Sequence, residues 1–140
     1  MINNMKILNI FTDGGARGNP GPAGIGVHVE NQAGASVYDF AQFLGVATNN
    51  IAEYKALLAA VSWLEKQEHV AEANFFLDSK LVVEQISRRW KIKEEHLQKL
   101  ASAIWQKLAG LKCSYKFTHI PREKNQLADA LANSAMDSAR

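Results

Sequence analysis

Three consecutive segments with β-strand character, followed by a change to helical periodicity, restrict the folds open to this chain. Residues 5–12 alternate and are rich in β-forming side chains, and AGIGVHVEN (23–31) and SVYDFAQFLGV (36–46) follow with the same character. From Asn49 the apolar residues instead recur three or four positions apart, as in an amphipathic helix. This apolar stripe consists of Leu57, Ala60, Val61 and Leu64. The pattern predicts a meander of three antiparallel strands and then a helix.

The second half of the chain continues with single strands separated by helices. ANFFLD (73–78) is a short apolar strand, and Ser79 is a candidate N-cap for the helix after it. EEHLQKLASAIWQKLA forms a further helical pattern that ends before Gly110, KCSYKFTHI is the last strand, and NQLADALANSAMDSA (125–139) is the last helix. We therefore expect a single α/β domain over residues 1–140 in the order βββαβααβα, with a five-stranded mixed sheet and about four flanking helices.

Composition limits the class of protein. The chain has 140 residues, of which 47% are hydrophobic and 21% charged, which suits one compact domain. Its single cysteine, Cys113, excludes an internal disulfide and favours a reducing, cytoplasmic setting. No apolar run reaches the roughly 18 to 20 residues of a membrane span, and the first residues lack the pattern of a secretory signal. The net charge of +2 does not by itself indicate a nucleic-acid-binding protein.

The segment FTDGGARGNPGPAG (11–24) places Asp13 beside a loop rich in glycine and proline. These residues are typical of a hairpin turn, with a solvated aspartate next to it as the simplest interpretation. The glycine spacing does not match a dinucleotide-binding fingerprint, and no Gly-Lys-Ser/Thr follows as in a phosphate-binding loop. A turn is therefore the first expectation for this segment.

Asp13 and Asp78 are expected to lie at the same edge of the sheet. The helix between them is a crossover connection, which makes the first and fourth strands parallel neighbours about 4.8 Å apart. Each aspartate is expected at the C-terminal end of its strand, where open α/β sheets bind ligands. Either residue alone could be an ordinary strand end or helix cap, but the pair indicates a site.

Glu53 is the third candidate, because it falls in the middle of the apolar stripe of its helix. A carboxylate directed at the sheet requires a raised pKa or a bound cation. The alternative is a frayed first turn that lets Glu53 reach solvent. Asp129 and His119 gain no support from periodicity, since Asp129 projects away from its apolar stripe and His119 is a polar strand end.

Four segments together resemble type 1 ribonuclease H: FTDGGARGNPGPAG, TNNIAEYKAL, LDSKLVVEQI and HIPREKNQLADALA. The resemblance spans nearly the whole chain and implies a ribonuclease H-like fold. It also implies a carboxylate set of Asp13, Glu53, Asp78 and Asp129 that holds two Mg²⁺ ions, or Mn²⁺ in their place, with His119 assisting proton transfer or product departure. Carboxylate oxygens are the ligands that such hard cations prefer.

The resemblance further implies that the substrate is an RNA/DNA hybrid. The RNA strand is expected to be cut internally, with 5′-phosphate and 3′-hydroxyl products. The substrate groove is expected to be lined by short polar side chains and loop backbone, which suit the wide minor groove of an A-like duplex. The implied groove residues are Gly14, Asn19, Thr48, Asn49, Asn50 and Asn125. Thr48 or Asn49 is also a good helix N-cap.

One departure from the family is visible. Well-studied bacterial relatives carry a long basic protrusion after the third acidic residue, whereas here SRRWKIKEEHL passes almost directly between two helices. We expect the protrusion to be absent and hybrid affinity to be modest and salt-dependent. Trp90 within the basic stretch from Arg88 to Lys93 is either a remnant of the DNA-strand contact or a residue covering the core.

Two other classes of function stay open. Metal-dependent 3′ to 5′ exonucleases share the fold, but they typically begin with two carboxylates close together on the first strand, and FTDGG has one. A non-catalytic hybrid-binding module would not need the complete carboxylate set. Double-stranded RNA is a further candidate substrate, and a monomer is the expected state.

Overall fold

The computed structural model describes residues 5–138, which contain one five-stranded mixed sheet in the order β3-β2-β1-β4-β5. β1 pairs antiparallel with β2 and β2 antiparallel with β3, while β4 is parallel to both β1 and β5. The strands are β1 Lys6–Ala16, β2 Gly21–Asn31, β3 Ser36–Ala47, β4 Val70–Leu77 and β5 Ser114–His119. The predicted meander and parallel crossover are confirmed.

Four α-helices within residues 5–138 complete the predicted order βββαβααβα. They are α1 Asn49–Leu64, α2 Lys80–Ile86, α3 Glu95–Ala109 and α4 Gln126–Asp137, with a short 3-10 turn at Arg122–Lys124. The predicted extension of the last helix to Ala139 lies outside the described residues. Residues 87–94 connect α2 to α3 without a further helix. Within residues 5–138, no helix combines the length and apolar character needed to cross a membrane.

The first strand is longer than expected. The sequence pattern predicts that this strand ends at Asp13, but β1 continues to Ala16 because Gly14, Gly15 and Ala16 still pair with β2. Pairing with β4 stops at Thr12 opposite Leu77. Asp13 therefore lies inside β1, one residue beyond the last pair with its parallel neighbour.

The two faces of the sheet are covered differently. The apolar stripe predicted for α1 is buried against one face, together with residues of α3 such as Leu97 and Ile104. α4 lies on the other face, directly over β2, where glycines allow a close approach. A Cβ added at Gly26 would lie 2.2 Å from the Ala128 carbonyl oxygen, and one at Gly24 2.7 Å from that of Ala132. This contact brings α4 close to the strands that carry the candidate site.

Candidate active site

Three carboxylates from distant parts of the chain meet beside the C-terminal end of β4. Asp13 comes from β1, Glu53 from α1 and Asp78 from the residue after β4, and each offers an oxygen within 4.8 Å of the other two. The predicted convergence of Asp13 and Asp78 is thus observed, and Glu53 points inward as its position in the apolar stripe indicates. The structure does not follow the alternative of a frayed first turn of α1.

Asp13 is the buried member of the three-carboxylate cluster. Only 7% of the residue is exposed. Burial, followed by the carboxylates of Asp78 and Asp129, raises the pKa of Asp13 from 3.8 to about 8. Carboxylate charges buried this close together favour a proton or a cation among them.

Glu53 is held by the backbone of Gly14, whose N–H donates to Glu53 Oε1 at 3.0 Å. A side chain at position 14 would collide with α1, because its Cβ would lie 2.3 Å from the Ala52 carbonyl carbon. Glycine therefore lets β1 and α1 approach closely enough for this bond. Burial, and after it the charges of Asp13 and Asp78, raises the pKa of Glu53 well above its usual value. Gly14, expected to contact substrate, here orients a carboxylate through its own backbone.

Asp129 of α4 joins the other three carboxylates around one cavity of about 420 Å³. Its side chain is 31% exposed and its Oδ1 lies 3.8 Å from Arg122 Nη2. Helical periodicity alone assigned Asp129 to solvent. The structure differs because α4 lies so close to β2 that Asp129 lines the cavity although it projects away from the apolar stripe. Resemblance, rather than periodicity, identified this residue.

Asn125 is buried, with 1% of the residue exposed. Its Nδ2 donates to the Thr12 carbonyl oxygen at 2.8 Å and to Asp78 Oδ2 at 3.2 Å. The side chain therefore ties the start of α4 to β1 and to one carboxylate of the cluster. Sequence reasoning placed Asn125 in the substrate groove and missed this positioning contact.

The remaining groove residues surround the start of α1. Thr48 is the N-cap of α1, and its Oγ1 accepts from the Ile51 N–H at 3.2 Å. Asn49 Oδ1 accepts from the Ala16 N–H at 2.8 Å, while Asn19 Oδ1 accepts from the Asn49 N–H at 3.0 Å. The carbonyl oxygens of both amides are engaged, so their NH2 groups are the parts that can donate to a ligand. Asn50 is exposed next to them.

His119 is exposed at the end of β5, opposite Leu77 in the parallel pair with β4. It is close in the sheet to the strand that leads into Asp78, but it is not among the described residues that line the carboxylate cavity. The structure therefore places His119 near the site without bringing it into the cluster.

The basic stretch after α2 forms a surface rather than a core cover. Trp90 is 44% exposed, and Lys80 Nζ lies 5.8 Å from the centre of its ring. The guanidinium of Arg88 lies 3.7 Å from the centre of the Trp105 ring.

The donor set fits a hard divalent cation. Carboxylate oxygens are the ligands that Mg²⁺ and Mn²⁺ favour, and three of them lie within reach of one ion. The raised pKa values of Asp13 and Glu53 reflect desolvation and, after it, repulsion, both of which a bound cation would offset. Asp13, Glu53 and Asp78 can hold such an ion, with Asp129 at the edge of the same cavity.

Several known proteins are similar to this chain in sequence and in fold. A family profile described as "Reverse transcriptase-like" matches residues 11–135. The bifunctional protein Rv2228c of Mycobacterium tuberculosis is 46% identical over 136 residues, which cover 96% of this chain and 36% of that protein. Ribonuclease H of Rhizobium johnstonii is 32% identical over an alignment of 152 positions, which covers 95% of this chain and 93% of that protein. The chain thus spans about a third of the length of its mycobacterial relatives and nearly all of the rhizobial one.

A solved structure agrees with these relatives. LC11-RNase H1 in complex with an RNA/DNA hybrid matches with a TM-score of 0.87 and 40% identity, covering 93% of this chain and 96% of that one. On this sequence similarity and this fold, the chain belongs to the type 1 ribonuclease H family.

Proposed function

We propose that the chain is an endonuclease that hydrolyses the RNA strand of RNA/DNA hybrids with two divalent metal ions. The observation that carries this proposal is the meeting of Asp13, Glu53, Asp78 and Asp129 around one cavity in a member of the ribonuclease H family. A related enzyme, LC11-RNase H1, has been captured with an RNA/DNA hybrid, which supports the choice of substrate.

The proposed chemistry divides between the ions and the protein. Mg²⁺, or Mn²⁺ in its place, would supply a polarised water and stabilise charge on the phosphate and the leaving oxygen. Asp13, Glu53, Asp78 and Asp129 would hold the ions as carboxylates, and a bound cation would offset the burial and repulsion that raise the pKa of Asp13 and of Glu53. The products would carry 5′-phosphate and 3′-hydroxyl ends.

Substrate recognition would rest on the amides beside the cavity. Asn19 and Asn49 keep their NH2 groups for donation, which suits the 2′-hydroxyls and base-edge acceptors of a wide minor groove. His119, exposed at the end of β5, would accept or return a proton as product leaves.

A labelled hybrid distinguishes this proposal from its alternatives. The RNA strand carries the label, and the protein is incubated with Mg²⁺ beside its Asp13→Asn variant. We expect internal RNA cuts by the wild type that disappear in the variant. Stepwise loss of terminal nucleotides would instead indicate a 3′ to 5′ exonuclease, and binding without cutting would indicate a hybrid-binding module. The same assay on double-stranded RNA tests that side activity.

A further inference from the structure

Arg17 begins the turn between β1 and β2, and it lines the cavity that holds the four carboxylates. Its backbone N–H donates to the Pro22 carbonyl oxygen at 2.8 Å, which closes the turn and fixes the point from which the side chain starts. Arg17 and Arg122 are the two basic residues among the described residues that line this cavity. The cavity that holds the four carboxylates therefore also has the positively charged guanidinium of Arg17 at its edge.

The guanidinium of Arg17 is oriented by one face of α4. Asp129, Asn133 and Asp137 recur every four residues and so lie on the same side of the helix. Arg17 Nη1 lies 2.6 Å from Asp137 Oδ1, and Arg17 Nη2 donates to Asn133 Oδ1 at 3.4 Å. Asn133 Nδ2 in turn donates to the Asp129 carbonyl oxygen at 3.0 Å. These contacts connect Arg17 to the helix segment that carries a candidate metal ligand.

Stability alone is a weak reason for this arrangement. The side chains of Arg17 and Asp137 are 48% and 65% exposed, and exposed ion pairs contribute little to stability. Arginine carries five N–H donors in a planar fork, and the two contacts with α4 leave donors for another acceptor. A phosphate oxygen is the acceptor that this fork matches best.

We infer that Arg17 binds a backbone phosphate of the cut strand, beside the reacting phosphate, and that Asp137 and Asn133 are the partners of its guanidinium until the strand binds. This inference rests on the proposed function, because it requires a nucleic-acid strand in the carboxylate cavity. Arg17 thereby adds to affinity and to the placement of the strand, while the carboxylates perform the metal chemistry.

A salt titration of hybrid binding tests the inference. Kd for a labelled RNA/DNA hybrid is measured in EDTA, which prevents metal-dependent cutting, over a range of salt concentrations. Three variants are compared with the wild type: Arg17→Gln, Asp137→Asn and Lys99→Gln. Lys99 is the matched control, because it loses the same charge from an exposed ion pair with Glu95 that does not line the cavity. Thermal unfolding of each variant is followed in parallel.

Substitutions of the two residues of the ion pair should affect hybrid binding differently. Arg17→Gln is expected to weaken binding about tenfold at low salt, as for one lost charge-assisted contact. It should also reduce the slope of log K against log salt by about 0.7 to 0.9. Asp137→Asn should bind as tightly as the wild type or more tightly, because it removes a competing anion, and Lys99→Gln should change neither quantity by a comparable amount.

Equal weakening in Arg17→Gln and Asp137→Asn, with equal losses of thermal stability, would show that the pair is structural and overturn the inference. An unchanged salt slope in Arg17→Gln would also overturn it. Either result can occur while the wild type still cuts the hybrid with Mg²⁺. Failure of the proposed function is a separate outcome, in which the wild type neither binds nor cuts the hybrid.

Discussion

Asp13 belongs to the proposed active site, and its burial as a charged carboxylate lowers the stability of the folded protein. A carboxylate that is 7% exposed and adjacent to Asp78 and Asp129 is costly to ionise, which is why its pKa rises to about 8. The folded protein without metal therefore binds a proton at this site that the unfolded chain releases near pH 4. Stability from this proton is fully present below about pH 4 and is lost as the pH rises through about 8.

The Asp13→Asn variant should consequently be more stable than the wild type in the absence of metal. In EDTA at pH 8.5 we expect a gain of about 2 kcal/mol in the free energy of unfolding, because the amide carries no charge to desolvate. At pH 5.5 the gain should be smaller, since wild-type Asp13 is then protonated. Urea denaturation at the two pH values measures both quantities. A variant less stable than the wild type at pH 8.5 would contradict this account of the cluster.

Gly14 provides a second prediction for a single residue. In Gly14→Ala the new Cβ would meet the backbone of Ala52 at 2.3 Å, so β1 and α1 must separate and Glu53 must move from the Gly14 N–H. We expect a loss of about 2 kcal/mol or more in stability, as in other overpacked sites, and reduced RNA cleavage.

Gly110→Ala is the matched control for this substitution. The nearest atom to a Cβ at Gly110 is the Lys107 carbonyl oxygen at 3.6 Å, an ordinary contact, and the residue has a φ of −89°. Its stability should stay within about 0.5 kcal/mol of the wild type, as at most surface positions. If the two variants were equally stable, the close approach of β1 to α1 would not be required.

At the scale of elements, two neighbouring strands are joined by a buried histidine that sequence reasoning missed. His28 of β2 lies between two carboxylates, with Nδ1 2.5 Å from Asp39 Oδ1 of β3 and Nε2 2.9 Å from Glu30 Oε2. Burial by itself lowers the pKa of His28, but the hydrogen bonds to Asp39 and Glu30 outweigh it and raise the pKa above 6.5. The protonated ring donates from both nitrogens and so bridges β2 and β3.

This bridge should make stability depend on pH in a defined direction. Because the pKa of His28 is higher in the folded state, the proton on its ring stabilises the folded protein. This contribution is fully present below the unfolded pKa near 6.5 and is lost as the pH rises through the higher folded pKa. His28→Gln should therefore be less stable than the wild type by about 1 to 2 kcal/mol at pH 6, and the difference should shrink at pH 9.

His96→Gln makes the same chemical change at an exposed position of α3 and serves as the control. Denaturant unfolding of the three proteins at pH 6 and pH 9 checks the prediction. A difference between His28→Gln and the wild type that stays constant or grows towards pH 9 would show that the charged ring does not hold the strands together.

At the scale of the whole molecule, the sheet topology explains how much of the site could be predicted. A crossover between parallel strands was enough to bring Asp13 to Asp78, and helical periodicity was enough to turn Glu53 inward. Topology and periodicity were not enough to predict that Asp129 belongs to the site. Its position depends on how closely α4 approaches β2, and two glycines of β2 set that distance. The side-chain bonds of Asn125 depend likewise on the packed structure, and local patterning does not encode them.

The predicted C-terminal end of β1 was wrong for a related reason. Glycine and proline after Thr12 indicated an early turn, but paired backbone groups extend the strand through Gly14 and Gly15. Backbone pairing thus outweighed the local preference for a turn. The four-residue spacing of Asp129, Asn133 and Asp137 was visible in the sequence, although only the folded structure shows that it faces Arg17.

The central claim is that the clustered carboxylates hold the ions that cut RNA. Its most direct test is the rate of RNA-strand cleavage in a hybrid as a function of Mg²⁺ concentration, for the wild type and for Glu53→Gln and Asp78→Asn. We predict metal-dependent cleavage by the wild type and a rate lowered by about 10²- to 10³-fold in each variant, the scale expected when electrostatic stabilisation at a reacting centre is removed. Unfolding measurements in EDTA would show that the variants remain folded. Cleavage that proceeds without divalent ions, or at the wild-type rate in folded Asp78→Asn, would contradict the claim.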